Sequence, residues 1–264
     1  MDFTIITPSL NYGRFLADCL ASVASQTGVT FEHLVLDGGS TDDSAAEASR
    51  FPHIRWTSGK DAGMSDAINK GFDRAKGDWV IWLNADDRLK PGALSSMLEH
   101  LRTTSADVVY GDYDFVDTEG AFLRHMKVPR WSAFVHIWHH CYVPSTAAFY
   151  RKSSIIGEGH RLREDFRYVM DGEFYARLHA QGKTFLHVPV NVADFRMQGA
   201  NASQRHLQGK GMDAIVAAEL QHVESRAIRR AYGFAGFKDP YLTGLVDGVL
   251  SVASRGWKAV LKLR

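Results

Sequence analysis

Apolar residues follow two alternating patterns over the first hundred residues. Residues 3–7 form a β-rich run, and apolar positions between Phe15 and Val23 then recur three and four residues apart, as on one face of a helix. Further strands are predicted at 32–37, 54–56 and 79–83, and further helices at 65–76 and 91–101. This alternation is typical of βαβ units and predicts a largely parallel sheet.

The pattern changes beyond residue 105. Short aromatic-rich segments at 108–110, 121–123 and 147–150 indicate antiparallel strands joined by long loops. The remaining predicted elements are a helix at 166–181, strands at 185–188 and 192–195, and helices at 211–231 and 241–263. We therefore predict a sheet domain with a helical extension, divided near residue 205.

Composition narrows the class of protein. Hydrophobic residues make up 45% and charged residues 23% of the 264 residues, as in a packed globular protein. The formal charge of +1 provides no overall field for nucleic acid, so no nucleic-acid partner is expected. Two cysteines cannot form a disulfide framework, and there is neither a leader-like start nor a long apolar run. We expect a cytoplasmic location.

Acidic residues follow the apolar strand at 79–83. Asp86 and Asp87 come directly after Asn84, and such oxygen ligands suit Mg²⁺ or Mn²⁺ bound together with substrate phosphates. A solvated acidic turn is the alternative. Ser9, Asp37 and Asp86 all follow strands, and ligands of open α/β sheets collect at the carboxyl ends of strands. We predict that these three residues line one crevice, although Asp37 in isolation also fits a helix cap.

Four ordered motifs resemble those of family 2 glycosyltransferases of the GT-A fold. They are TPSLNY at 7–12, DGGSTD at 37–42, DAGMSDAINKG at 61–71 and GDWVIWLNADD at 77–87. The resemblance implies an α/β fold with a GT-A type, Rossmann-like mixed sheet flanked by helices. It also implies a catalytic domain at 1–204, with a nucleotide-sugar-binding half at 1–105 and an acceptor-side half at 106–204, before a C-terminal helical extension at 205–264.

The same resemblance implies a nucleoside diphosphate sugar as donor, with UDP as the expected nucleotide. Asp86 would bind the divalent metal, Mn²⁺ or Mg²⁺, as the last acid of the family's acid-any-acid motif. Asn84 departs from that motif, in which the first position is usually Asp, and removes one negative charge. The nucleotide-binding residues implied are Thr7, Pro8, Ser9, Asn11, Tyr12, Asp37, Lys60, Gly63, Asn69, Asn84 and Ala85.

The second half is expected to supply the acceptor side. Residues 168–174 resemble the family segment that carries the catalytic carboxylate, and we assign Asp171 as the general base. Such a base needs a slightly raised pKa to accept a proton from the acceptor hydroxyl as it attacks the anomeric carbon, which inverts that centre. A salt-bridged carboxylate on a helix face is the alternative, and Glu173, Glu164 and Asp165 are nearby competitors.

Several further residues are candidates for contacts with phosphate or sugar. Asp87 and Arg196 are candidates for the phosphate or acceptor side, Arg196 together with Gly199, Asn201 and Ser203 in a closing segment. Trp138 is a candidate for stacking on a sugar, although aromatic residues this dense are usually core. Lys60 fits either a phosphate contact or an exposed surface.

Histidines at 136, 139 and 140 beside Cys141 suggest zinc, but no second ligand pair stands at a recognisable spacing, and we predict no zinc site. His187 is expected to pack, and Cys19 to lie in the core. The segment 241–264 mixes apolar residues and Trp257 with basic residues, so it fits peripheral membrane contact, packing on the domain, or contact with a second subunit in a homo-oligomer.

The sequence predicts an inverting hexosyl- or N-acetylhexosaminyltransferase. Its acceptor would be a hydroxyl of a glycan or lipid-linked saccharide, in cell-surface polysaccharide biosynthesis. The alternatives are a catalytically impaired sugar-nucleotide-binding protein, suggested by Asn84, and a nucleotidyltransferase, although the first loop lacks the basic residues that a triphosphate needs. No Gly-x-Gly-x-x-Gly turn follows the first strand, which disfavours a dinucleotide oxidoreductase.

Overall fold

A computed structural model describes residues 1–139, 141–198 and 212–232, together with residues 252, 253 and 255. Within 212–232, it describes the side chains from residue 220 onward. The strands are β1 (Phe3–Ser9), β2 (Phe31–Asp37), β3 (Ile54–Ser58), β4 (Trp79–Trp82), β5 (Arg88–Leu89), β6 (Val108–Val116), β7 (Phe122–Met126), β8 (Ala148–Arg151) and β9 (Phe185–Arg196). The α-helices are α1 (Gly13–Ala24), α2 (Ser44–Ser49), α3 (Met64–Arg74), α4 (Ala93–Leu101), α5 (Ala133–Trp138), α6 (Met170–Ala180) and α7 (Met212–Tyr232).

These strands form one mixed sheet in the described part of the chain. Their order is β3-β2-β1-β4-β8-β6-β9-β5, with β7 beside β6. The first four strands are parallel, with β1 between β2 and β4, and β2 also pairs with β3. Because a helix connects each of these strands to the next, the predicted βαβ units and the α/β fold class are confirmed.

The second half adds antiparallel strands, as predicted. β8 lies antiparallel between β4 and β6, and β7 is antiparallel to β6. β9 instead runs parallel to β6, and it is one strand where the sequence predicted two. Tyr110 pairs with His187, and Asp112 pairs with Asn191. Between these two pairs β9 has three residues around Pro189 where β6 has one, so β9 bulges from the ladder. Proline has no N–H to donate, and a bulge accommodates it.

Each face of the sheet covers its own core. Alternate residues of the central strands point to opposite faces, as β geometry requires. Ile6 and Val80 pack with Phe72 of α3 and Phe174 of α6. Ile5 and Ile81 pack in the second core with Cys19 of α1, which is fully buried as predicted.

The helical end begins with α7, close to the helix predicted at 211–231. α7 packs against α5 and α6, and Ile228 is buried in the first core. The predicted domain boundary near 205 and almost all of the helix predicted at 241–263 lie outside the described residues. Among the residues described, no helix is both long enough and apolar enough to cross a membrane.

Candidate active site

The carboxyl ends of the parallel strands bring the predicted loops to one edge of the sheet. Ser9 at the end of β1 lies in register with Asp37 at the end of β2. On the other side of β1, the Leu83 N–H donates a 3.0 Å hydrogen bond to the Ile6 carbonyl, so the acidic loop also leaves the sheet here. This edge is where ligands of open α/β sheets bind.

A pocket of about 320 Å³ opens at this edge. Its lining residues come from the first loop, the segment before α3, the acidic loop and the start of α6. The predicted site residues that line it are Pro8, Ser9, Tyr12, Gly63, Asn84, Ala85, Asp86 and Asp171. Asp86 and Asp171, from the two halves of the chain, therefore face a common space.

The first loop presents Ser9 and Tyr12 to the pocket. Ser9 lines the pocket, and its hydroxyl is buried without a hydrogen-bond partner among the described residues, which is uncommon for a buried polar group. Asn11 adopts a left-handed conformation with φ +57°, and its side chain accepts a 2.9 Å hydrogen bond from the Thr41 N–H. Thr7 does not line the pocket, because its hydroxyl is buried against His33 at 2.9 Å.

Asp37 and Lys60 line an adjoining cavity of about 130 Å³, which shares Asp61 and Ala67 with the central pocket. The Asp37 carboxylate accepts hydrogen bonds from Ser58 Oγ at 2.5 Å, from Ser40 Oγ and from the Gly39 and Ser40 N–H groups. Asp37 thus orders the loop after β2, while α2 begins later, at Ser44. Ser9, Asp37 and Asp86 share an edge, but only Ser9 and Asp86 line the central pocket.

Hydrogen bonds within the acidic loop fix its shape. Asn84 Oδ1 accepts a 2.7 Å bond from the Trp82 indole, and Asn84 Nδ2 donates a 3.0 Å bond to Asp87 Oδ2. Asp87 is fully buried and does not line the pocket. Burial, and then the charge of Asp86, raise the pKa of Asp87 well above its ordinary range. Asp87 therefore helps to hold the loop in its shape. The hydrogen bond from the neutral Asn84 amide stabilises the charged form of the Asp87 carboxyl.

Asp86 is the acidic residue of this loop that reaches the pocket, and its side chain accepts a hydrogen bond from Gln198. Burial raises its pKa. A buried carboxylate on a pocket wall gains from a nearby cation, and Mg²⁺ and Mn²⁺ often bind one or two carboxylates plus substrate phosphates. No group of three or more His, Cys, Asp or Glu suited to a metal exists among the described residues. Asp86 could supply one carboxylate ligand to such a cation.

The structure does not bring three other predicted residues to the pocket. Arg196 is only 1% exposed, and its guanidinium donates to the Asp86 and Thr118 carbonyls and to Asp18. Asn69 holds both the N–H and the carbonyl of Leu162 at 2.9 Å. Trp138 is buried beside Arg229 of α7. Each of these side chains is occupied within the fold, and Gly199, Asn201 and Ser203 lie outside the described residues.

Asp171 lies in the first turn of α6 and lines the pocket with a partly exposed side chain. Its Oδ1 accepts a 2.8 Å bond from the Gly172 N–H, and its Oδ2 lies 3.7 Å from the Cys141 thiol, which donates. Burial raises the pKa of Asp171. Glu173 instead points away, fully buried in an ion pair with Arg177 at 2.9 Å. The geometry therefore separates Asp171 from its competitor.

Several lining residues were not predicted. Arg167 and Tyr168 precede α6, and Phe195 is the penultimate residue of β9. Asp61 lies within a motif quoted above, yet its position in the pocket follows only from the turn before α3. Tyr168 belongs to the segment 168–174 assigned to catalysis and Arg167 immediately precedes it, and this proximity is the signal that could have identified them.

The histidine cluster near residue 136 serves packing. His136 is buried, its Nε2 lies 2.8 Å from the Gly172 carbonyl, and burial lowers its pKa to about 4. His187 Nε2 lies 2.8 Å from Asp112 on the neighbouring strand. His140 lies outside the described residues.

The mixed sheet and its edge pocket define a GT-A type α/β protein. Residues 4–161 match the family model described as glycosyl transferase family 2, and the chain therefore belongs to this family. A PGL/p-HBAD biosynthesis glycosyltransferase of Mycobacterium tuberculosis is 39% identical over 120 residues, which are 42% of this chain and 46% of that protein. The O-antigen biosynthesis protein RfbC of Myxococcus xanthus is 28% identical over 240 residues, 86% of this chain and 18% of that protein. The chain thus aligns with less than half the length of these relatives.

Solved structures share the fold. S. aureus TarS 1–349 in complex with UDP has a TM-score of 0.63 at 14% identity, covering 88% of this chain and 72% of that one. The mannosyltransferase PcManGT from Pyrobaculum calidifontis, in complex with GDP-Man and Mn²⁺, has a TM-score of 0.60 at 16% identity, covering 99% and 84%. At these identities the likeness establishes the fold class.

Proposed function

We propose that this chain is an inverting glycosyltransferase that transfers a sugar from a nucleoside diphosphate to an acceptor hydroxyl. The observation that carries the proposal is the pocket that Asp86 and Asp171 share. The carboxylates of Asp86 and Asp171 suit different tasks, because Asp86 belongs to a closed acidic loop while Asp171 stands at a helix start. Family membership and the nucleotides bound in related structures support a nucleotide-sugar donor, and UDP is our first choice.

On the donor side, the pocket offers groups for a nucleoside diphosphate. The unpartnered Ser9 hydroxyl supplies a hydrogen bond to the donor, and Asp37 and Lys60 in the adjoining cavity suit the nucleoside. Asp86 would hold the divalent cation. When bound, that cation neutralises the charge developing on the departing diphosphate.

On the acceptor side, Asp171 accepts the proton of the attacking hydroxyl. As that oxygen bonds to the anomeric carbon, the bond from this carbon to the diphosphate oxygen breaks, and the diphosphate keeps the electron pair. Attack from the face opposite the leaving group inverts the centre. A carboxylate with a raised pKa is a better base near neutral pH than an ordinary aspartate, because its proton affinity is closer to what the transfer requires.

The roles of the two relatives in PGL/p-HBAD and O-antigen biosynthesis support an acceptor that is a glycan or a lipid-linked saccharide. We keep a cytoplasmic location, a domain division near 205 and membrane contact through segment 241–264 as parts of the proposal. That segment mixes Trp257 with basic residues, which suits an anionic lipid surface.

The test combines binding and turnover. Thermal shifts with UDP, GDP and other nucleoside diphosphates, each with and without Mn²⁺, identify the nucleotide, since ligands of the folded state raise Tm. Release of diphosphate from the corresponding nucleotide sugars, with and without saccharide acceptors, then measures transfer. Asp86→Ala should remove the Mn²⁺-dependent part of the shift, whereas Glu99→Gln, an exposed carboxylate change on α4, should not.

Two results would contradict the proposal. Absence of any nucleotide-dependent shift would exclude the donor site. Binding without turnover, under conditions that supply donor, cation and a panel of acceptors, would favour the second candidate, a sugar-nucleotide-binding protein. The observation that keeps this candidate is Asn84, whose amide stands where the family motif usually has a carboxylate.

A further inference from the structure

Helix α7 holds the segment that leads into the helix of Asp171. The Glu224 carboxylate accepts three backbone hydrogen bonds, from the N–H groups of Arg167 at 2.8 Å, Tyr168 at 2.9 Å and Val169 at 3.0 Å. Glu224 lies 55 to 57 positions later in the chain than these residues. One side chain from a distant helix therefore satisfies three consecutive donors immediately before α6.

This contact lies immediately before the start of α6. The sequence predicts a helix from residue 166, whereas α6 starts at Met170. The first N–H groups of a helix have no partner within the helix, and they require acceptors from elsewhere. No side chain of the neighbouring N-cap residue, Val169, provides one. Glu224 supplies the negative acceptor at this end, where the helix dipole also favours negative charge.

A second contact from α7 holds Glu173, which follows Asp171 by two positions in the first turn of α6. The Tyr232 hydroxyl, also on α7, donates a 2.8 Å hydrogen bond to Glu173 Oε1. Glu173 is fully buried and is held by two bonds from Arg177, at 2.9 and 3.0 Å. Asp171 thus lies between two anchors, at 167–169 and at 173, and both originate on α7.

We infer that Glu224 is a positioning residue for Asp171, and that α7 is thereby part of the catalytic apparatus. This inference rests on the proposed function. Arg167, Tyr168 and Asp171 all line the pocket, so release of the segment at 167–169 moves the pocket wall together with the base. Glu224 itself does not line the pocket, and the first loop and the acidic loop, which form the donor side, both come from the first half of the chain.

Catalysis depends steeply on the position of the base. A displacement of about 1 Å costs about 10²-fold in rate. Glu224→Ala should therefore lower kcat by about 10- to 100-fold while the donor KM stays within about twofold. Glu224→Gln, which keeps one of the two accepting oxygens, should fall between Glu224→Ala and the wild type. His222→Ala, an exposed change on the same helix, is the matched control and should leave both constants unchanged.

Backbone amide exchange tests the contact independently of turnover. In the wild type the amides of 167–169 should exchange slowly, and Glu224→Ala should accelerate these three and the first turn of α6, but not the amides of β1. Tyr232→Phe provides a milder variant at the second anchor, and nucleotide-induced thermal shifts report that each variant is folded. A wild-type protein without turnover would refute the proposed function and leave the exchange result to decide the contact.

The inference is overturned by either of two results in an active wild type. One is a Glu224→Ala protein with unchanged kcat. The other is a loss of kcat without faster exchange at 167–172, or with an equal rise in donor KM. Lower kcat with unchanged donor KM, faster exchange at 167–172 and partial recovery in Glu224→Gln supports it.

Discussion

The Asn84 amide donates a 3.0 Å hydrogen bond to the buried carboxylate of Asp87. Asp87 Oδ1 accepts a second bond, of 2.9 Å, from the Arg196 N–H, which connects the acidic loop to the end of β9. The residue that departs from the family's acidic motif thus has a partner inside the loop. An aspartate at 84 would place two carboxylates at hydrogen-bond distance in an interior that raises the cost of charge.

The first prediction concerns Asn84→Asp. The free energy of unfolding should fall by about 1–3 kcal/mol at pH 7.5, because Asp87 loses a donor and gains a like charge. One of the two carboxyls in the variant should have a raised pKa in the folded state. The folded variant then binds a proton more readily than the unfolded chain, so its deficit should shrink as pH falls to 5.5. Chemical denaturation at both pH values measures this.

Gln181→Glu makes the same amide-to-carboxylate change at an exposed position and should change stability little. An Asn84→Asp protein as stable as the wild type at pH 7.5 would show that Asn84 does not stabilise the charge of Asp87.

The second prediction concerns the protonation of Asp171. Burial raises its pKa above the ordinary value of 3.8, and a general base must be deprotonated, so kcat/KM should rise with pH through that raised pKa. Asp171→Asn should reduce transfer by about 10²- to 10⁴-fold and leave nucleotide binding intact. Asp165→Asn, at an exposed carboxylate paired with Arg163, should retain activity. Loss of nucleotide binding in Asp171→Asn would count against its role as the base.

The third prediction uses the thiol beside Asp171. Donation from Cys141 to Asp171 Oδ2 lowers the pKa of that carboxyl and opposes the larger effect of burial. Cys141→Ala should therefore move the acid limb of the pH–rate profile to higher pH, while donor KM remains constant. Cys141→Ser, which keeps a donor, should move the limb less. A limb that stays in place in Cys141→Ala would mean that the thiol does not reach Asp171 in solution.

The fourth prediction concerns the start of β4, the strand that carries the acidic loop. A Cβ at Gly77 would lie 2.3 Å from the Phe3 carbonyl carbon and 2.4 Å from the Thr4 nitrogen, both backbone atoms that cannot rotate away. Gly77→Ala should destabilise the protein by about 3 kcal/mol. A Cβ at Gly59 would meet nothing within 4 Å, so Gly59→Ala is the control. Equal melting temperatures for the two variants would contradict this packing.

The sequence was sufficient for the parallel half of the sheet. The four strands carry apolar runs, and loops of small and polar residues follow them, so chain order alone predicts that Ser9, Asp37 and Asp86 share an edge. The sequence also indicated the acidic loop, because two carboxylates close to the end of a buried strand cost free energy unless another group compensates their charge.

The sequence was not sufficient for contacts between distant residues. Arg196 has the chemistry of a phosphate ligand, but its guanidinium is enclosed between Asp18, Thr118 and the acidic loop. Whether an arginine faces a ligand or the protein depends on the packing of three separate segments, and no local pattern encodes it. The sequence predicted a helix from residue 166, whereas α6 starts at Met170, and the segment before it is held by Glu224 from a distant helix.

The contact between Glu224 and the backbone at 167–169 has a consequence for synthesis of the protein. Ser9, Asp37 and Asp86 leave the ribosome early, because all three lie in the first third of the sequence. The glutamate emerges far later. A nascent chain therefore contains every residue that lines the pocket before it contains the acceptor that holds the backbone at 167–169, and the wall that carries Asp171 is the last part of the pocket to be completed.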